Sequence, residues 1–312
     1  WTASNFLPNQ DYLNGSTVVT QVTYPRFVTK PNGNMLLEVR KGTSGNGDGY
    51  LWEYSGETHA WTSIGKYING IIDGQNAYLH GIQYDKFGKL HASWCWRRTS
   101  APETNHDLYY AYSEDHGRTW KNTNGLHVGT SGSNPLRVGT TGLRVWNIPE
   151  NRSLMNQESM CVDNKGRVHV LNGFIKDSDP DVAVWGTSYP VHLYRDEAGV
   201  WHRNFMMLES KKNRDQIACD ANNNIYIVLD NNIYMATESS AWTDWKVVAQ
   251  KGSATSGDGA VDKERLLKEN VLSVASGGSP NRLVQINYLI DNLSPGTGAG
   301  LTIDYFNSPD FQ

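Results

Sequence analysis

The sequence predicts an all-β protein, a β-propeller of four-stranded blades with about five blades recognisable in 312 residues. Three observations carry this. A strand–turn–strand unit recurs along the chain. One copy continues into a complete four-stranded pattern closed by a Ser-x-Asp-x-Gly-x-Thr-Trp turn. The composition, with 30 Gly, 16 Tyr and 11 Trp, is that of aromatic strands separated by tight turns.

The repeat is legible in four segments: "YPRFVTKPNGNMLLEV", "LHGIQYDKFGKLHASW", "QESMCVDNKGRVHVLN" and "RDQIACDANNNIYIVL". A fifth, "ENVLSVASGGSPNRLVQINY", fits with a longer turn. Most turns lie about 56 residues apart, the length of a blade with its loops. In the second repeat, strand A runs from Tyr78 to Tyr84 and strand B from Lys89 to Arg97. The loop "RTSAPETNHD" follows, then strand C "LYYAYS", then "SEDHGRTW" and strand D. Outer strands follow the other hairpins: "YLWEYS" with "AWTSIG", "VHLYRDEAGVWHRN", and "IYMATESSAWTDWKVV". "WTASNFL" reads as a Trp-led outer strand and "GLTIDYFN" as a strand C, so the ring either closes with five blades or belongs to a larger propeller. The insertion from Gly125 to Leu154 is expected to cover a face. One propeller domain over 1–312 is expected, either a closed ring or one that lacks the N-terminal blades of a longer protein.

Net charge is −4, from 28 basic and 32 acidic side chains, which excludes the basic footprint of a nucleic-acid binder. Mean hydropathy is −0.56 and no apolar run approaches a membrane span, so neither nucleic acid nor membrane is expected as a partner. Cys95, Cys161 and Cys219 are too few for a disulfide framework and read as buried thiols. Sequons at Asn14, Asn151 and Asn292 agree with a secreted, extracellular or periplasmic, protein. Any leader is expected to have been removed or to lie outside these residues. A monomer is expected.

Candidate chemistry lies where inner strands begin and their partners end, because sites form where propeller loops converge. "PNG" at 31–33 suits a three-residue loop with Gly33 left-handed. That register sets Phe27 opposite Leu37, Arg26 opposite Glu38 and Tyr24 opposite Arg40, so phenol and guanidinium share a face. A Tyr–Arg stack on a blade edge accounts for the same pairing. The same register in the second repeat sets His80 opposite Trp94 and Tyr78 opposite Trp96. Asn76 precedes that strand, and His106 lies in the B–C loop. The matching positions of repeats three and four are Gln157/Glu158 and Arg214/Asp215. Polar residues at inner-strand starts imply a wet channel, a ligand site or a metal site. Glu158 and Asp215 are the candidate oxygen ligands for a structural calcium ion near the axis, although the chemistry itself calls for no cofactor.

The runs "TYPRF…NGNMLLEVRKG…SGNGDGYLWEY", "NAYLHGIQYDKFGKLHASWCWR" and "TNHDLYYAYSEDHGRTW" resemble the Asp-box (BNR-repeat) propeller polysaccharide lyases. That group holds the ulvan lyases and the L-rhamnose-α-1,4-D-glucuronate lyases. The resemblance implies a seven-bladed fold and β-elimination at a rhamnose–glucuronate linkage of an acidic polysaccharide such as ulvan or gum arabic. It also implies that Tyr24 and Arg40 are active-site residues. On this reading Arg40 pairs with the uronate carboxylate, and Tyr24 exchanges a proton with C5 or O4. His80 shares the acid/base work, and Arg26, Asn76, Tyr78, Trp94, Trp96, His106, Gln157 and Arg214 bind sugar. The family's histidine pair belongs to a blade before this hairpin, so the chain is expected to be a piece of a longer protein or altered in activity. The alternatives are a glycoside hydrolase on the same scaffold (an α-L-rhamnosidase or sialidase-like enzyme), for which Glu158 and Asp215 are the inner-strand carboxylates, and a carbohydrate-binding propeller without turnover.

Overall fold

The computed structural model describes residues 19–156, 159–176, 178, 188–206, 214–250, 256–278, 282–290 and 301–306. The chain forms two compact units, Trp1–Pro149 and Glu150–Gln312. Together they hold five antiparallel sheets, the blades of a β-propeller. No helix among the described residues is long and apolar enough to cross a membrane.

In the first unit, β1 (Val22–Thr29), β2 (Met35–Thr43), β3 (Asn46–Ser55) and β4 (Ala60–Ile68) form the first sheet in chain order. The second holds β5 (Asn76–Tyr84), β6 (Leu90–Arg97), β7 (Asn105–Ser113), β8 (Thr119–Lys121) and β9 (His127–Thr130). The insertion returns as β10 (Arg144–Trp146), which pairs antiparallel with β7. On the way, Leu136 bridges the C-terminal end of the first sheet's last strand: its N–H donates to the Tyr67 carbonyl and its carbonyl accepts from Asn69, each at 2.8 Å.

The second unit holds three sheets. These are β11 (Ser159–Val162), β12 (Val168–Phe174), β13 (Tyr189–Arg195) and β14 (Trp201–Phe205); then β15 (Gln216–Cys219), β16 (Ile225–Leu229), β17 (Asn232–Ala236) and β18 (Lys246–Gln250). The last is β19 (Ser256–Val261), β20 (Val271–Gly278), β21 (Arg282–Leu289) and β22 (Leu301–Phe306), with helix α1 (Lys263–Glu269) between β19 and β20.

The fifth repeat corrects the sequence reading. Its hairpin is β20–β21, the middle of the sheet, and Leu301–Phe306, read from the sequence as a third strand, supplies the fourth. The first strand is β19, "SGDGAV", whose small and polar residues carry no alternating apolar signal. The N-terminal strand reading lies outside the described residues.

One turn device recurs. In the hairpins at Asp85, Asp163 and Asp220, one carboxylate oxygen accepts the backbone N–H groups two and four residues on, at 2.8–2.9 Å. The other oxygen meets the side chain six residues on: His91 at 3.2 Å, His169 at 3.3 Å and Tyr226 at 3.1 Å. The carboxylate thus closes the turn and anchors the start of the return strand. The first hairpin closes instead through Gly33, at φ +84°, with its N–H on the Lys30 carbonyl at 2.9 Å.

The Ser-x-Asp-x-Gly-x-Thr-Trp turn works as its pattern implies. Asp115 accepts from the Thr119 N–H at 2.8 Å and the Thr119 hydroxyl at 2.7 Å, and Gly117 N–H donates to Ser113 Oγ at 2.7 Å. Trp120 is fully buried, stacked on Tyr67 of the first sheet with centroids 5.0 Å apart. All three cysteines are buried free thiols.

Candidate active site

The opening hairpin keeps the predicted pairs Arg26–Glu38, Phe27–Leu37 and Val28–Leu36, then breaks register. Arg40 pairs with Thr23, not with Tyr24, because Tyr24 and Pro25 together oppose Val39 in a bulge. Pro25 has no N–H to give the ladder, and Tyr24 takes φ +58°. The second hairpin does the same. Leu79 pairs with Trp94 and Gly81 with Ser93, leaving His80 as the extra residue. His80 is therefore not opposite Trp94, and Tyr78 pairs with Cys95 rather than Trp96. Both errors have one cause: a turn dictates register only as far as the first bulge.

Arg40 is 1% exposed. Its Nε donates to the Ala77 carbonyl at 2.8 Å and its Nη2 to the Thr43 carbonyl at 2.9 Å. The guanidinium lies 4.6 Å from the Tyr78 ring centroid, and Arg97 approaches the same ring at 4.4 Å. A Cβ on Gly47 would come within 2.3 Å of Arg40 Cζ, so any larger residue there must displace the guanidinium. Burial pulls the Arg40 guanidinium below its usual range, while Tyr78 and then Tyr24 push it back up. Tyr24, half-buried, thus contributes to the field at Arg40 although the bulge removed it from direct pairing.

Arg26 forms a second cluster. Its Nη1 meets Glu38 at 3.3 Å and its Nη2 donates to the Leu79 carbonyl at 3.0 Å. Glu38 is fully buried and also accepts from the Tyr67 hydroxyl. Burial outweighs Arg26 and raises its carboxyl above the usual range. His80 is 2% exposed, and burial, helped by the Arg26 charge, pushes its imidazole down to about 3. It is neutral at neutral pH and closed to solvent.

Several predicted sugar contacts fall elsewhere. Trp94 and Trp96 are fully buried, edge to face at 6.2 Å, inside the cluster that joins the first two sheets. Their spacing resembles that of binding aromatics in sequence, but both are core packing. Asn76 is a brace: its carbonyl oxygen accepts from Gly47 N–H and its amide donates to the Arg97 carbonyl, both at 3.0 Å. Tyr78 is 2% exposed between its two arginines. His106, half-buried at the start of β7, lies 3.1 Å from both Asp107 Oδ2 and Gln75 Oε1. Gln157 and Glu158 lie outside the described residues. Arg214 is exposed and Asp215 is buried, both in the second unit. Among the described residues no group of three His, Cys, Asp or Glu side chains could hold a metal ion, and nothing described assembles a calcium site around Asp215.

Arg97 is the residue the sequence reading missed. Its Nη2 donates to Ser44 Oγ and the Ser100 carbonyl, both at 2.8 Å, so it ties the loop after β2 to the loop after β6. Its sequence signal was present: a charge ending the aromatic strand "LHASWCWR", which is buried throughout.

Relatives agree with this architecture. The sequence model of the BNR repeat-containing family matches residues 1–208, more than half of the chain. The chain belongs to this family. This BNR-repeat protein is 26% identical, over 192 residues, to the long isoform of an ulvan lyase of Alteromonas sp. (strain LOR). The match takes in 56% of the chain and 18% of that relative, so the chain spans under a fifth of the relative's length. Among solved structures, polysaccharide lyase Uly1 superposes with TM-score 0.61 at 19% identity, over 94% of this chain and 60% of that one. A PL25 ulvan lyase bound to -[GlcA(1-4)Rha3S]- gives TM-score 0.55 at 14% identity, over 93% and 66%. At these identities the structural likeness is one of fold.

Proposed function

We propose that this BNR-repeat protein acts on an acidic, rhamnose- and uronate-containing polysaccharide as a lyase, cleaving by β-elimination. The similarity to ulvan lyases supports the class. The observation that carries the site is the fixed, buried Arg40 guanidinium, one bulge away from the half-buried Tyr24 that contributes to its field. In the proposed step a base takes the C5 proton of the uronate, the C4–C5 double bond forms, and the C4–O4 bond breaks. The departing O4 keeps its electron pair and takes up a proton. Tyr24 exchanges the proton at C5 or O4, and the positive charge of Arg40 stabilises the negative charge that develops beside the carboxylate. Arg40, 1% exposed and held by two carbonyls, acts through its charge, while the half-buried Arg26 is the one of the two arginines open to an incoming anion. Such a substrate is a polymer met outside the cell, which supports a secreted or periplasmic setting.

Hydrolysis is the weaker reading for this site. A glycosidase needs two carboxyl groups across the scissile bond. The carboxylates beside the two arginines are already occupied. Glu38 holds Tyr67 and Arg26; Asp48 holds the N–H groups of Gly70 and Ile71 and the Lys66 ammonium.

Incubation of the protein with ulvan and with gum arabic tests the reading. A new ultraviolet absorbance from the 4,5-unsaturated uronate is the expected result. Release of saturated reducing ends without that absorbance overturns it in favour of hydrolysis. Retention of the protein on either polymer with no new ends overturns it in favour of a binding module.

A further inference from the structure

Cys161 and Cys219 lie on β11 and β15, the first strands of neighbouring sheets within the second unit. Both belong to one apolar cluster and are 0% and 1% exposed. The Cys219 thiol donates to the Val162 carbonyl at 3.1 Å, and Val162 is the residue after Cys161. Cys219 therefore reaches across the gap between the two sheets at the level of Cys161. No polar neighbour is needed to explain two thiols there, since alanine or valine would fill the same apolar space.

We propose that Cys161 and Cys219 are a disulfide-forming pair that covalently staples the first strands of the third and fourth blades. The chemistry is thiol–disulfide exchange with a low-molecular-weight disulfide as oxidant. One cysteine thiolate attacks the oxidant, which releases one small thiol and leaves a mixed disulfide on the protein. The second thiolate attacks the protein sulfur of that bond and releases the other small thiol. Two protons and two electrons pass from the protein to the oxidant, whose disulfide becomes two thiols.

The Cys161 thiol and burial hold the Cys219 thiol well above its usual range, so Cys219 stays protonated and slow to react in the folded chain. Exchange accordingly takes place while the strands assemble. The bond closes the whole third blade into a covalent loop, which removes freedom from the unfolded chain. Cys95 lies in the first unit and takes no part.

The test is to refold the full chain from denaturant in oxidised and reduced glutathione, alkylate free thiols, digest and read the peptides by mass. The expected result is one linked pair, the Cys161 peptide joined to the Cys219 peptide, about 2 Da below their sum. Cys95 is alkylated, and reduction abolishes the link. The linked form melts higher than the reduced form by on the order of 5–10 °C. Cys95→Ser retains the link and Cys161→Ser loses it. Alkylation of all three thiols, glutathione adducts without a link, or a link through Cys95 each overturn the proposal.

Discussion

Arg40 Nε and the Ala77 carbonyl meet at 2.8 Å, joining the second strand of one blade to the first strand of the next. Arg26 repeats the contact two residues along the same strand, with its Nη2 on Leu79 at 3.0 Å. The first strand of a blade has a partner on one side only, and its other edge presents unpaired carbonyls. Two arginines of the preceding blade satisfy that edge. They are thereby fixed in place with their charge intact, which is what a site for an anionic sugar requires.

Gly47 makes this arrangement possible, so Gly47→Ala is expected to destabilise the protein by about 1–3 kcal/mol. The added Cβ would sit 2.3 Å from the guanidinium, and moving it aside would break its bonds to the Ala77 and Thr43 carbonyls. Chemical denaturation measures the loss, and a stability equal to wild type would show that Arg40 can move aside.

Tyr24→Phe keeps the bulge and removes the hydroxyl. A fall in kcat of about a hundredfold or more is expected, with KM little changed. Steady-state rates on the substrate found active give both constants. An unaltered kcat removes Tyr24 from the proton transfer.

Trp94→Ala separates packing from binding. Loss of a fully buried indole is expected to cost about 3–5 kcal/mol of stability. Thermal unfolding is the readout. A stable variant with weakened sugar affinity would restore Trp94 to the binding surface.

Acid should destabilise the fold through His80. Its imidazole titrates at about 3 in the folded protein, against 6.5 for an exposed histidine. Below 6.5 the unfolded chain takes up a proton that the folded protein refuses. Stability is then full above that pH and falls by about 1.4 kcal/mol per unit until pH reaches the folded value. Denaturant titrations from pH 7 to 4 should show a shallower decline for His80→Gln. Equal slopes would mean that the imidazole is charged or exposed in the folded state.

Asp115→Ala tests the turn after β7. Loss of its bonds to Thr119 is expected to cost about 1–2 kcal/mol and to leave kcat unchanged. A selective loss of kcat would give this turn a part in catalysis.

How much of this was legible in the sequence depended on the range of the interaction. The hairpins were, because a turn such as "PNG" and the apolar pattern beside it are written within a few residues. So was the turn built by Ser113 and Asp115, for the same reason. The strand β19 was not, since "SGDGAV" owes its place to pairing with β20 and not to its own preference. Trp94, Trp96 and Asn76 read as sugar contacts because residue type cannot tell an aromatic facing a ligand from one facing the next blade.

The sequence by itself determined the blade repeat, the turn chemistry and the family, because these rest on contacts between near neighbours in the chain. Tertiary structure alone decided that Tyr24 leaves the ladder at Pro25 and that Arg40 turns inward to Ala77 with Tyr78 against it. It also placed Arg97 over that same ring. Those facts depend on what the neighbouring blade presents, an unpaired strand edge and an aromatic face, and no local pattern encodes what lies across a blade interface.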